Sequence, residues 1–416
     1  MSTSLLPTTK AQVSGHKFLL RRVEHGLVLG DIRMLHDPLG ARRRAMLFGL
    51  TAVVLIGLGA GLLAWLRPAA DPGDAAILRS ESGALYVRVD GTVHPVANLA
   101  SARLITGAPD DPARIGDELL ADQPRGVPLG IPGAPGLLAA DDPDPLSWAA
   151  CHDGEAVTVL AGPPTDPLAR HRAVLAVDGG RDWVLSADGR AALPDPATRE
   201  GRVIRRALGV DAATPRWHPP TEVLNAVREL PPLSAPAPLP DALLVTGGGD
   251  WMLFDDEVAP VSPLQGAVLA DLGTPVRETP REDIADHPDH AGAGATGLSL
   301  PAVAPGWLDP TGQVLCASGD GGTATVAAGA LRSGTVELSG TGVADRFRGP
   351  DGGAVGVDSG HGHHVVSGTG VRHPVPDPVA LGALGLAEPA TAPWAVLRLL
   401  PEGPALDPGD ARRATY

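Results

Sequence analysis

Lysine and aromatic side chains are scarce in this 416-residue chain, which holds only Lys10 and Lys17 and 3% Phe, Trp and Tyr together. The lysine shortage excludes one chemistry outright. A phosphate-binding loop of the form GxxxxGK[ST] needs lysine directly after glycine, whereas Lys10 follows Thr9 and Lys17 follows His16. Cysteine is as scarce, with Cys151 and Cys316 alone, and neither stands in a CxxC pair or beside a ligand set suited to zinc. Basic residues are outnumbered, 33 against 48 Asp plus Glu, for a net charge of −15. So acidic a chain grips no nucleic acid over a broad surface.

Catalytic signals are correspondingly thin. "ASGDGG", residues 317–322, has Asp320 where a protease nucleophile would stand and reads as a glycine-rich turn. "HGHH", residues 361–364, would place His361 and His363 on one side of a strand, but no acid or thiol at a matching spacing completes a metal site. His287 and His290 read as solvated loop residues, and "DDPDP", Asp141 to Pro145, lacks the glycine and distal Glu of a calcium loop. No residue is expected in a catalytic, cofactor-binding or metal-binding role.

What the chain does have is a run of 21 uncharged residues, Met46 to Leu66, about 31 Å long as a helix and matched to a hydrocarbon core. Trp65, Arg67 and Pro68 stand where a signal peptide would carry its small-residue cleavage site, so the segment is a retained anchor. Asp37 and Pro38 suit an N-cap and first helical position, and Pro68 ends the helix. The first 45 residues carry eight Lys plus Arg and three Asp plus Glu, with Arg42, Arg43 and Arg44 before the span and Arg67 after it. By the positive-inside rule the N-terminus is cytoplasmic and the remainder extracytoplasmic. Removing that +5 from the −15 total leaves −20 beyond residue 45, and the inner basic cluster suits anionic lipid.

Ahead of the anchor, "SGHKFLLRRVEHGLVLGD", residues 14–31, reads as a basic amphipathic helix with Ser14 as N-cap. Phe18, Leu19, Val23 and Leu27 form its apolar stripe. Arg21 and Arg22 lie largely on the other faces, and the whole predicts docking to a cytosolic partner or the inner leaflet. Cys151 and Cys316 fall in the exported part, where a disulfide between them is permitted; two buried thiols are the alternative.

Glycine and proline, 53 and 43 residues, are spaced as turns between short apolar runs, which predicts many short strands. Only "LPPLSAPAPLPDA", residues 230–242, reads as a Pro-rich linker. Four segments share a hairpin pattern: "ALYVRVDGTVHPV" from Ala84, "DWVLSADGRAALP" from Asp182, "DWMLFDDEVAPVS" from Asp250 and "HHVVSGTGVRHPV" from His363. Asp90-Gly91 and Asp188-Gly189 are hairpin-turn dipeptides. Helical stretches follow at Val203, Leu264 and Pro378, and "TEVLNAVRELPPL" from Thr221 resembles "PWAVLRLLPEGPAL" from Pro393.

With "PTTKAQVSGHKFLLRRVEHGLVLGDIRMLHDPL" at 7–39, "SGALYVRVDGTVHPVANLASARLITG" at 82–107 and "GVPLGIPGAPGLL" at 126–138, the chain resembles the EccB family, the single-pass membrane subunits of actinobacterial type VII (ESX) secretion systems. The resemblance runs over the whole chain. It implies a scaffold subunit of a membrane channel complex, partnered by other type VII membrane subunits, including an FtsK/SpoIIIE-like ATPase and a subtilisin-like protease, and by further copies of itself. The opening helix would then dock at the cytosolic base of that complex.

The expected fold is α+β and strand-rich: a short cytosolic helix, one transmembrane helix, and an elongated exported domain of about four hairpin-plus-helix repeats around a disulfide-linked central region. The expected divisions are 1–45 cytosolic, 46–66 transmembrane, 67–76 linker, 77–120 first repeat and 121–172 first central part. They continue with 173–235 and 236–298 as second and third repeats, 299–345 as second central part, and 346–416 as fourth repeat and tail. The competing class is an exported hydrolase, either nucleotide-splitting, since members of the family are sometimes labelled ATPases, or acting on the cell wall. An enzyme would gather titratable groups in one pocket.

Overall fold

The computed structural model describes residues 9–30, 32–33, 38–65, 71–136, 146–290, 296–331, 334–350 and 353–415. The chain forms two compact units, Met1–Ala70 and Asp71–Tyr416. In the first, helix α1 (Lys10–Leu29) begins with a capping box: Thr9 accepts from the Gln12 amide, and the Gln12 side chain accepts from the Thr9 amide at 2.9 Å. That box starts the helix five residues before Ser14, which lies inside α1 and is not its N-cap. Gly30, with φ 69°, ends it in the left-handed conformation that glycine adopts without Cβ strain. Helix α2 (Pro38–Trp65) runs unbroken, and its stretch Ala41–Leu63, 23 residues, is long and apolar enough to cross a membrane. Asp37, Leu66, Arg67 and Pro68 lie outside the described residues.

In the second unit a first group comprises β1 (Ile77–Arg79), β2 (Leu85–Val89), β3 (Thr92–Val96), α3 (Leu99–Thr106), β4 (Ala113–Arg114) and α4 (Asp117–Ala121). Then come β5 (Ser147–His152), β6 (Val157–Gly162) and β7 (Asp166–Pro167). A second group holds β8 (Arg172–Asp178), β9 (Arg181–Ser186), β10 (Gly189–Ala192), α5 (Arg199–Ala207), β11 (Arg216–Trp217) and α6 (Thr221–Leu224). A third holds β12 (Ala242–Thr246), β13 (Gly249–Phe254), β14 (Glu257–Val261), α7 (Pro263–Leu272) and β15 (Val276–Glu278). Next follow β16 (Gly306–Trp307), β17 (Val314–Ser318), β18 (Thr323–Val326), β19 (Val336–Glu337) and β20 (Arg346–Arg348). The fourth group is β21 (Val355–Asp358), β22 (His363–Val366), β23 (Arg372–Val375), α8 (Pro378–Leu384), β24 (Ala390–Thr391) and α9 (Trp394–Leu397), before a last helix α10 (Pro408–Ala411).

These four groups build sheets of one topology: β3-β2-β1-β4, β10-β9-β8-β11, β14-β13-β12-β15 and β23-β22-β21-β24, with β16 added to β8. In each, three antiparallel strands are followed by a helix that carries the chain across to a short fourth strand, parallel to the first. Asp90 and Gly91, both at positive φ (48° and 78°), make the tight β2–β3 turn that the Asp-Gly pair requires. Each crossover helix starts on a side-chain N-cap: Asn98, Thr198, Ser262 and Asp377 accept from the amides of Ser101, Gly201, Gln265 and Ala380.

Helices α3 and α8 share one core with the first and fourth sheets, through Leu104, Ile105, Leu381 and Leu384. Helices α5 and α7 share another, through Ile204, Leu208, Val268 and Leu269. Between these pairings in sequence stands a seven-stranded sheet, β19-β20-β6-β5-β17-β18-β7. Trp148, Val159, Leu315 and Phe347 on one of its faces pack with Trp217 of β11, with Leu224 after the second sheet and with Val396 and Leu397 after the fourth. The two similar sequences at Thr221 and Pro393 therefore do the same job, each supplying a short helix that plugs this core.

Residues 230–242 are not a free linker. Leu233 and Ala235 are buried in the α5–α7 core, Ser234 pairs with Ser299, and the Ala235 amide donates to Glu200 at 2.8 Å. Apolar residues between the prolines give the stretch something to bury, which composition alone did not reveal.

Candidate functional site

The residues expected to dock lie on α1, and their apolar members are exposed: Phe18 is 53% and Leu27 82% accessible, with Leu19 and Val23 between them. Arg21 and Arg22 are exposed on the same helix, while His25 is buried. A helix presenting this many large apolar groups to water has a face to bury. Arg42, Arg43 and Arg44 fall in the opening turns of α2, at the start of its membrane-length stretch. Arg67 and the acidic run Asp141 to Pro145 lie outside the described residues.

Cys151 and Cys316 form a disulfide. They sit directly opposite each other on β5 and β17, with Cα atoms 3.9 Å apart. The bond is fully buried under Val314, Ala324 and Leu331 on the face of the seven-stranded sheet away from Trp148. Because β5 precedes the second sheet and β17 follows the third, the bond closes off everything between them, a separation of 165 residues.

The histidine cluster differs from its expected arrangement. Strand β22 starts at His363, so His361 stands in the preceding turn, and it is His361 and His364 that share a neighbour, the Trp394 ring, at centroid distances of 6.1 and 5.4 Å. The His361–His363 alignment fails because Gly360 and Gly362, at φ 70° and 134°, bend the backbone before the strand begins. Arg372 lies 4.8 Å over the same ring and pairs with Glu402 at 2.6 Å. Burial first, and the Arg372 charge second, push the His364 pKa down to about 4. His287 and His290 are not loose either; they bond the β13–β14 turn at Asp256 (2.9 Å) and Glu257 (2.7 Å). Among the described residues no group of three or more His, Cys, Asp or Glu is placed to hold a metal ion.

Asp320 holds a turn together. Its carboxylate accepts from the Ser318 hydroxyl and the Gly322 amide, and both contacts keep it ionised below the usual carboxylate range.

Three arrangements escaped the sequence reading. Arg103, buried on α3, donates to the Leu384 carbonyl at the end of α8 at 2.9 Å, and Arg199 donates to the Asp271 carbonyl at the end of α7 at 3.0 Å. In both helix pairs an arginine thus meets the partner's negative dipole end. Arg190 repeats the Arg372 arrangement, lying 4.4 Å over Trp183 and pairing with Glu229 at 3.0 Å. The signal was present in the third strands, "GRAALP" and "GVRHPV", each with an arginine before a proline.

A family model described as "Type VII secretion system ESX-1, transport TM domain B" matches residues 5–242 and 295–415. This chain belongs to the EccB family. The EccB relatives include the ESX-3 secretion system ATPase EccB3 of Mycolicibacterium smegmatis, 32% identical over 97% of this chain and 90% of that one. Another is the ESX-1 secretion system ATPase EccB1 of Mycobacterium tuberculosis, 31% identical over 96% and 93%. Among solved structures, a chain of an intact ESX-5 inner membrane complex matches with a TM-score of 0.68 and 26% identity, covering 99% of this chain and 97% of that one. The EccB3 dimer from the ESX-3 core complex matches at 0.68 and 28%, over 82% and 100%. Residues 243–294, which hold nearly all of the third sheet and its helix, lie outside the stretches that the EccB model matches.

Proposed function

We propose that the chain is a structural, membrane-anchored subunit of a type VII secretion complex. The observation that carries this is its near end-to-end match to a chain of an intact ESX-5 inner membrane complex. In this reading α2 anchors the subunit with its N-terminus in the cytoplasm, Arg42, Arg43 and Arg44 contact anionic lipid, and Arg67 marks the outer end of the span. The extracytoplasmic unit assembles with further copies, as the dimer of the ESX-3 relative suggests. The stripe Phe18, Leu19, Val23 and Leu27, flanked by Arg21 and Arg22, docks the FtsK/SpoIIIE-like ATPase or its neighbours, and a subtilisin-like protease joins outside. The four like sheets serve as assembly repeats, with bounds near 77–120, 173–235, 236–298 and 346–416.

Phe18→Glu places a charge on the docking stripe and leaves α2 intact. In blue-native electrophoresis of solubilised membranes the variant should leave the large complex and stay membrane-bound; full retention in the complex overturns the docking role. For orientation, a cysteine at Ser14 should resist a membrane-impermeant thiol reagent in intact cells while one at exposed Ser82 reacts.

The relatives' names include the word ATPase. Our reading is that this chain does not split ATP, supported by the missing GxxxxGK[ST] loop and by lysines confined to residues 10 and 17. Purified full-length protein should show no ATP turnover above about 0.1 per second, a slow rate for an enzyme. Activity that survives size-exclusion and disappears on one substitution would restore the hydrolase alternative.

A further inference from the structure

Beside the second sheet lies an open cleft of about 770 Å³. Its floor is apolar, made by Val184 and Ala191 of the sheet with Leu233, Leu298 and Leu300. One wall is the strap "PAVAP", residues 301–305, whose Val303 is 76% exposed. The strap is held at both ends. Before it, Ser299 exchanges backbone bonds with Ser234 (3.1 and 2.9 Å) and the Leu300 carbonyl accepts from Gln265 at 2.8 Å. After it, β16 pairs with β8 and the Trp307 indole donates to the Leu208 carbonyl at 3.0 Å. Pro301 and Pro305 stiffen the bow between these anchors. The cleft is therefore built in, with a volume inside the usual range of small-molecule sites.

The rim carries Arg170, His171 and Arg172 against one carboxylate, Asp188. Among the described residues neither arginine makes an ion pair. A cationic rim is an exception in a region of net charge −20. It suits a ligand with an anionic head, and a guanidinium pair matches a carboxylate in geometry as well as charge. The walls also decide between an acyl chain and an extended peptide. Pro231, Pro301 and Pro305 have no amide hydrogen, and the amides of Ser299 and Gly306 already donate to Ser234 and His171. That leaves the strap amides of residues 302–304 as donors for an extended peptide, fewer than a paired strand uses, whereas an acyl chain needs none.

We propose that this cleft binds a long-chain fatty-acid carboxylate, its chain on the apolar floor and its head between Arg170 and Arg172. The test uses the full chain in phosphatidylcholine nanodiscs, labelled with a diazirine-bearing palmitate analogue and mapped by peptide mass spectrometry. Adducts should fall within 184–191 or 298–305, and palmitate should compete while methyl palmitate does not. The double variant Arg170→Gln, Arg172→Gln, at an exposed and a half-buried rim position, should lose about tenfold in labelling, the scale of one charge-assisted contact, with the variant still unfolding cooperatively. Adducts confined to α2, equal competition by the ester, undiminished labelling of the double variant, or displacement by an acidic peptide but not by palmitate would each overturn the assignment.

Discussion

The imidazole of His373 occupies the space in which a side chain on residue 403 would lie, and its Nδ1 bonds the Pro404 carbonyl at 3.0 Å. The first sheet has the same arrangement, with His94 against Gly126 and its Nδ1 2.9 Å from the Val127 carbonyl. In both places the third strand reads His-Pro-Val, and a later extended segment returns beside it, pairing Arg372 with Glu402 and Val93 with Arg125. Glycine is needed where the returning backbone passes the ring.

A methyl group at residue 403 should therefore force the buried ring out of place. Gly403→Ala is expected to cost about 1–3 kcal/mol in urea unfolding, the usual range for overpacking. Gly126→Ala should cost less, because His94 is half-buried and can swing outward. Part of the Gly403→Ala cost should vanish in a His373→Ala background, while the Val371 methyl 2.7 Å from the same position retains the rest. Equal costs at both glycines would show that the ring contact is not what matters.

The buried arginine between the first and fourth sheets gives a second expectation. Arg103→Ala strips the Leu384 carbonyl of its donor inside a core and should cost about 1.5–3 kcal/mol. Its carboxylate partner Asp111 is 92% exposed, so Asp111→Ala should change stability by less than about 1 kcal/mol. Arg199→Ala should also be mild, since Arg199 is exposed although it meets α7 in the same way. Chemical denaturation of the three variants ranks them; an Asp111→Ala cost matching that of Arg103→Ala would mean the ion pair dominates.

Local features were legible in the sequence because their causes are local. The uncharged run of α2 and the Asp90-Gly91 turn each follow from a few adjacent residues. The short parallel strands were not legible: β4 and β24 are two residues each and exist only because β1 and β21 offer an edge far away in sequence. The same applies to β20, which pairs with β6 across nearly two hundred residues. His361 was misplaced on a strand because periodicity does not say where a strand starts, and Gly360 and Gly362 decided that. The start of α1 was missed for a related reason, since Ser14 and Thr9 are both good caps and only Thr9 has Gln12 to complete the box.

Removing the disulfide should loosen the second unit without abolishing its fold. The chain-entropy model for a closed loop of this size allows at most about 5 kcal/mol of stabilisation. The double variant Cys151→Ala, Cys316→Ala removes the bond with little change in buried volume, so its melting temperature should fall by several degrees. Cys151→Ser should fall further, because it also buries a hydroxyl without a partner. Quantitative alkylation of both thiols in native protein without reductant would show that the bond does not form.

Acid should destabilise the second unit through histidines buried in the neutral form. Burial lowers the pKa of His152, His364 and His373. Asp153 and Asp345 oppose the shift at His152, and the Pro404 carbonyl opposes it at His373. At His364 the Arg372 charge, with a smaller push from His363, adds to burial, against Glu402 and Asp358, and the value reaches about 4. The unfolded chain takes up these protons near pH 6.5 and the folded chain only lower, so the unfolded state binds more protons in between. The stability is complete above pH 6.5 and is lost progressively as pH falls toward 4. For His364 alone the loss approaches roughly 3 kcal/mol. His364→Gln, which carries no titrating group, should lower stability at pH 7.5 yet flatten its fall between pH 6.5 and 4.5. Urea unfolding across that window reads the difference, and an unchanged slope in the variant would place the titrating proton elsewhere.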